Sequence, residues 1–253
     1  MSKFIWYDLM TPDVKASGDF YAHVTGWNIR DSGMPGAAPY SILSANGVDV
    51  GGIMPSPPGS AMPPVWTGYI HSTDVDRDAR RATELGGSVF KEPQDIPEVG
   101  RFAVLCDPSG APFIAFRPNS TATPTAVPDG TPGHFGWREL MSGNWQEAFG
   151  FYSALFGWSK TEAMDMGPMG TYQLFQTGPG QTGGMMTKAP QDPFPPRWNY
   201  YINVDAMDGA LKRATARGAR VLMDPMEVPG GGYACGCIDP QGAAFSLFSM
   251  KRS

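Results

Sequence analysis

The residues able to do chemistry are few, and they do not cluster. The chain has three histidines, His23, His71 and His134. They fall in a helix, a strand and a linker edge by pattern, and form no HxxxH, HxH or two-His-one-carboxylate arrangement. A catalytic Zn, Ni or Fe site needs about three His or carboxylate ligands, so no metal is expected. The run Cys235–Gly236–Cys237 lacks a second cysteine pair and reads as one strand carrying two small thiols. The glycine-rich VPGGGY at 228–233 is not followed by a helix. It is a poor phosphate cradle and a better hairpin tip. No flavin, haem or iron motif is visible, so no cofactor is expected either.

Composition narrows the partners. The chain has 253 residues, 42% hydrophobic and 17% charged, with a formal net charge of −5. It has no basic cluster, which argues against nucleic acid and anionic membrane. No apolar run approaches the roughly 18–20 residues that span a bilayer. The opening MSKFIWYDLM passes directly into a strand-like pattern without a signal-peptide core. Three cysteines, an odd number, suit reduced thiols. The expectation is a cytoplasmic protein with a small-molecule partner, either a monomer or a homodimer.

The elements that must position any site are written twice. WYDLMTPDVKASGDFYAHVTGW (6–27) returns as WRELMSGNWQEAFGFYSALFGW (137–158), with seven of 22 positions identical. RATELGG…DPSGAPFIAF (81–116) pairs with RATARGA…DPQGAAFSLF (213–248), with 14 of 36 identical. A fixed-period duplication means that one supersecondary unit was copied. The polar, Pro-rich stretch 118–133 reads as a linker between copies 1–117 and 134–253. Each copy divides again at a Pro-rich segment, 55–65 and 187–197. Within each half a strand is followed by a helix and three short strands. The helix near 14–25 has Pro12 and Asp13 as start signals and Gly26 at its end. Four βαβββ units are expected.

Phe20–Tyr21 with Gly26–Trp27, and Phe151–Tyr152 with Gly157–Trp158, match the "FY…G(W/F)" helix of the vicinal oxygen chelate superfamily. So do the helix-closing Gly86 and Gly218 and the DPxG turns at Asp107–Gly110 and Asp239–Gly242. The chain resembles that superfamily, which includes glyoxalases, bleomycin-resistance proteins and extradiol dioxygenases, over nearly its whole length. The resemblance implies an α+β fold. Its four βαβββ units would pair into two glyoxalase/bleomycin-resistance/dioxygenase-type modules with curved, partly closed mixed sheets around clefts. It implies no single chemistry.

Metal-dependent members hold their ion from the first strand, from the strand opening the second half, and from the last strand. Carried onto this chain, those places are Trp6, Thr67 and Ile114 in the first copy, and Trp137, Asn199 and Ser246 in the second. None is a His or a carboxylate. If these positions face the cleft, strand alternation brings Asp8, Met10, Tyr69 and His71 to the same face. It does likewise for Glu139, Met141 and Tyr201. Leu9, Ile70, Leu140 and Ile202 would then turn towards the helices. Trp6 and Trp137 either plug the ion's place or offer a flat wall for a planar or cationic ligand.

Asp8 and Glu139 are candidate acid–base groups, because an aromatic pocket raises a carboxyl's pKa, and His71 is a candidate proton partner for Asp8. Each has a plainer reading as an ion pair, a cap or a hydrogen-bonded core residue. Trp66 and Trp198, and Tyr40 and Tyr172, either line the cleft mouths or pack. Two functions remain open. One is a metal-free protein that binds a planar or hydrophobic, possibly cationic, molecule. The other is a glyoxalase-like lyase, isomerase or other small-molecule enzyme using Asp8, Glu139 or His71.

Overall fold

The computed structural model describes residues 2–33, 39–59, 62–120, 127–178 and 183–253. Part of the linker expected at 118–133, residues 121–126, lies outside them. Four βαβββ units follow one another. The first is β1 (Phe4–Thr11), α1 (Val14–Thr25), β2 (Asn28–Asp31), β3 (Ser41–Ala45) and β4 (Val48–Pro55). The second is β5 (Val65–His71), α2 (Val75–Glu84), β6 (Ser88–Ile96), β7 (Gly100–Cys106) and β8 (Pro112–Pro118). The third is β9 (Phe135–Ser142), α3 (Trp145–Phe156), β10 (Ser159–Asp165), β11 (Thr171–Gln176) and β12 (Gly183–Thr187). The fourth is β13 (Arg197–Asn203), α4 (Met207–Ala216), β14 (Arg220–Glu227), β15 (Tyr233–Ile238) and β16 (Ala244–Ser249). Among the described residues, no helix is long and apolar enough to cross a membrane.

Local chemistry sets the helix ends. The Asp13 carboxylate accepts the Ala16 N–H at 2.9 Å, and Gly26 closes α1 at φ +78°. Asn144 accepts from the N–H groups of Gln146 and Glu147 and opens α3, which Gly157 closes at φ +75°. A side-chain oxygen at the N-cap satisfies amides that the helix leaves unpaired, and a left-handed C-cap suits glycine. On α1 the buried face is carried by Phe20, Tyr21 and Val24, spaced to fall on one side.

One sheet takes the order β2-β3-β4-β1-β5-β8-β7-β6, and the other takes β10-β11-β12-β9-β13-β16-β15-β14. The pairs β1–β4, β5–β8, β9–β12 and β13–β16 are parallel, as crossover helices require. The orders are open-ended, so neither ladder closes on itself. The edge strands β6 and β14 each carry two register shifts. Such bulges twist an edge away from further pairing. Leu9, Ile70, Leu140 and Ile202 are fully buried, whereas Trp6, Met10, Thr67, Trp137, Met141 and Asn199 are half-buried. Alternation of this kind pins the register, because a slip by one residue would exchange the two sets.

Packing gathers the chain into two compact units. Met1–Trp6, Thr67–Thr123 and Arg138–Asn199 form the first, and Tyr7–Trp66, Pro124–Trp137 and Tyr200–Ser253 form the second. Each unit therefore joins half of one copy to half of the other. In the first unit, Trp158 stacks on Tyr152 and Phe175 with ring centroids 5.0 and 4.7 Å apart, and its indole N–H donates to the Ser2 carbonyl at 2.7 Å. Trp198 donates to the Tyr152 hydroxyl at 2.9 Å.

The second unit uses the same devices. Trp27 stacks on Tyr21 and donates to the Gly133 carbonyl at 2.6 Å, and Trp66 donates to the Tyr21 hydroxyl at 2.9 Å. Tyr21 in turn donates to Asp239 Oδ2 at 3.1 Å. Asp239 Oδ1 accepts the N–H groups of Gln241, Gly242 and Ala243 at 2.8–2.9 Å. Trp66 and Trp198 are thus core residues, 5% exposed each, and not parts of a cleft mouth. Arg213 on α4 donates twice to the Val24 carbonyl at the end of α1, at 3.1 and 3.0 Å.

Candidate functional site

In the first copy the three positions that would hold an ion lie in the first unit. Ile114 is register partner to Tyr69 on one side and to Val104 on the other. Tyr69, Ile114 and Phe116 form a buried cluster, against which Ile5, Trp6, Phe102 and Val104 pack. The Tyr69 and Phe116 rings meet edge to face at 5.6 Å. The Lys91 ammonium stands over the Phe102 ring, 5.1 Å from its centroid. The place of an ion is therefore filled largely by hydrocarbon, with the half-buried Thr67 hydroxyl as the one side-chain oxygen at the three positions. Such a set does not fit a catalytic divalent cation. Among the described residues, no group of three or more His, Cys, Asp or Glu side chains stands together.

A different constellation surrounds the acids. Register pairing across β1 and β4 puts Asp8 opposite Gly52. The Tyr40 ring lies over Gly52, where any Cβ would collide with the phenol. From there the Tyr40 hydroxyl donates to Asp8 Oδ1 at 2.7 Å, and Asp8 is 4% exposed. The second copy repeats the frame. Glu139 pairs with Gly184 across β9 and β12, and the Tyr172 ring covers Gly184. Here Asn199 Nδ2 donates to Glu139 Oε2 at 3.1 Å. In both copies glycine is required because a ring occupies the space over its Cα.

The remaining sequence candidates divide between the units. Trp6, Thr67, Tyr69 and His71 lie in the first unit, where His71 is register partner to Phe116. Asp8 belongs to the second unit, and its hydrogen-bond partner there is Tyr40. Met10 pairs with Met54, and Met141 with Met186, next along the strands from the two acids. Trp137 and the Tyr201–Ser246 register pair lie in the second unit. The link from Tyr40 to Asp8 went unread in the sequence. Its signal was present as two matched pairs, Tyr40 with Tyr172 and Gly52 with Gly184, each 132 residues apart.

Comparison with known proteins bears on the same scaffold. Residues 131–247 match the Glyoxalase/Bleomycin resistance protein/Dioxygenase superfamily, and residues 5–116 match the Glyoxalase-like domain. "Putative glyoxylase CFP32" of Mycobacterium tuberculosis is 34% identical over 96% of this chain and 92% of its own length. The chain belongs to the glyoxalase/bleomycin-resistance/dioxygenase superfamily. "Anthracycline biosynthesis protein DnrV" of Streptomyces peucetius is 32% identical over 97% of this chain and 92% of its own. Among solved structures, the Mn(II)-bound glyoxalase from Novosphingobium aromaticivorans superposes with a TM-score of 0.67 at 17% identity, covering 99% of this chain and 83% of that one. At that identity the likeness is one of fold.

Membership in the superfamily separates its hallmark residues here into two groups. The FY tyrosine Tyr21 and the DPxG aspartate Asp239 are structural in this chain. They meet each other and Trp66 in the core, and burial pushes the Asp239 carboxyl above its ordinary pKa while its N–H and hydroxyl donors pull it down. Tyr21 is likewise pushed well above its usual range, first by burial and then by the Asp239 charge. Neither is placed to serve a ligand. The acids of the two copies are held elsewhere, Asp8 by Tyr40 and Glu139 by Asn199.

Proposed function

We propose that the protein is a metal-free small-molecule binder of this superfamily, seating a planar or hydrophobic ligand against aromatic walls, with Asp8 and Glu139 favouring a cationic one. The observation that carries this reading is the packing of Trp6 and Ile114 with Tyr69 where metal-dependent relatives hold an ion. An apolar, aromatic surface with a few fixed polar groups is the usual make-up of a ligand site. The relatives named for anthracycline biosynthesis add support, because anthracyclines are fused-ring aromatics.

Two measurements test it. Metal analysis of the purified protein for Ni, Zn, Fe and Mn should find well under one ion per chain, and stoichiometric metal overturns the reading. A thermal-shift panel of planar aromatic molecules should then yield a stabiliser. Its shift should disappear in one of Trp6→Ala and Trp137→Ala, which also tells which copy holds the ligand.

The Tyr40 to Asp8 hydrogen bond supports a second reading, a glyoxalase-like lyase or isomerase. A tyrosine hydroxyl held on a buried carboxylate can pass a proton between them. Turnover lost in Asp8→Asn or Glu139→Gln, with ligand binding intact, would favour that reading over simple binding.

A further inference from the structure

The two copies differ where their sheets would meet a ligand, and the difference runs along matched rows. In the first unit one lateral row reads Lys91–Val104–Ile114–Tyr69 across β6, β7, β8 and β5. The next reads Gln94–Phe102–Phe116–His71. In the second unit the equivalent rows are Met223–Gly236–Ser246–Tyr201 and Met226–Ala234–Phe248–Asn203, across β14, β15, β16 and β13. An isopropyl group, a sec-butyl group and a phenyl ring in the first copy have become a hydrogen, a hydroxymethyl and a methyl in the second.

Space accompanies the exchange. A Cβ added at Gly236 would meet only Met223, at an ordinary 3.6 Å. Gly52, Gly184 and Gly232, by contrast, each lie under an aromatic ring. The cation of the first copy is also gone, since Met223 stands where Lys91 stands. What frames the small floor is two thioethers, Met223 and Met226, and two rings, Tyr201 and Phe248. Thioethers adapt to flat aromatic surfaces and gain from sulfur–ring contact. At the end of the second row, Asn203 lies against Gly136 of β9, is 3% exposed, and its Oδ1 accepts no hydrogen bond from the described residues. A buried acceptor without a donor is costly, and a ligand N–H or O–H would satisfy it.

We infer that the β14–β15–β16–β13 face of the second copy is the ligand seat, taking a planar aromatic ring that carries a hydrogen-bond donor. The matched face of the first copy is a self-filled block. The inference rests on the small-molecule reading above and assigns it to one copy and one ligand class.

Alizarin, a planar tricycle with phenolic O–H donors, serves as the probe, and isothermal titration calorimetry reads its Kd. Gly236→Val and Ser246→Ile each restore the first copy's residue, and valine and isoleucine suit strands. Each is expected to weaken alizarin binding at least tenfold with the thermal melt retained. Val104→Gly with Ile114→Ser, the reverse exchange, is expected to leave Kd within twofold. Loss of binding through the first-copy exchange alone overturns the inference and leaves the small-molecule reading standing. Unchanged Kd in both second-copy variants, or no alizarin binding by the native protein, also overturns it. The broader reading fails separately, if the thermal-shift panel yields no stabiliser at all.

Discussion

Gly52→Ala tests the acid–tyrosine arrangement most directly. The new methyl would occupy the volume of the Tyr40 phenol, so the ring must leave its place over β4. Overfilling a packed position costs about 1–3 kcal/mol. Displacement of the ring also removes the 2.7 Å hydrogen bond to buried Asp8, and a bond to a charged group contributes about 1.5–3 kcal/mol. The expected loss is therefore about 2.5–6 kcal/mol. Tyr40→Ala removes the obstacle. In that background Gly52→Ala should be nearly neutral, or gain up to about 1 kcal/mol because alanine is the better strand residue. The coupling in this double-mutant cycle should reach at least about 2 kcal/mol. Urea unfolding followed by tryptophan fluorescence measures all four proteins. A coupling below about 0.5 kcal/mol would show that ring and glycine act independently, and the account of the duplicated acid site would be wrong.

Other perturbations address the core. Tyr21→Phe leaves the Trp66 indole N–H and Asp239 Oδ2 without their partner. Its unfolding free energy should fall by about 1–3 kcal/mol, and a change within about 0.3 kcal/mol in urea melts would count against the hydrogen-bonded chain. Asp239 has a folded pKa raised above its unfolded value. The folded state thus binds the extra proton, and the stabilisation is complete below the unfolded pKa, near 3.8, and is lost as pH rises through the folded one. Asp239→Asn should remove that dependence, so its stability relative to the native protein should improve from pH 3.5 towards neutrality. A flat or falling difference across that range contradicts the assignment of burial as the main cause.

Much of the fold was legible because its signals are local. Asp13 and Gly26 bracket α1 as caps, and their chemistry needs no tertiary context. The alternation that hides Leu9 and Ile70 is likewise written along each strand. The duplicated FY and DPxG segments mark two copies, and the Pro-rich stretches divide each into two units. What the sequence concealed depends on distant pairing. Asp8 meets Tyr40 only because β4 runs parallel to β1 and offers a glycine opposite the acid. Tyr21 meets Asp239 across 218 positions. Neither partnership follows from a local spacing, and the first showed only indirectly, in the matched Tyr40/Tyr172 and Gly52/Gly184 pairs. Trp66 likewise could not be assigned to core or cleft until its indole was seen on Tyr21. The candidate site was half legible for the same reason: alternation proposed Trp6 and Tyr69 together, whereas the filling role of Ile114 needed the β5–β8 register.

The ties between Trp158 and Ser2, Trp27 and Gly133, and Tyr21 and Asp239 have an evolutionary consequence. Each satisfies a buried polar group of one duplicate with an atom from, or adjoining, its sibling. A chain cut at the junction would strand these donors, so reverting to a single-copy ancestor is penalised at several positions at once.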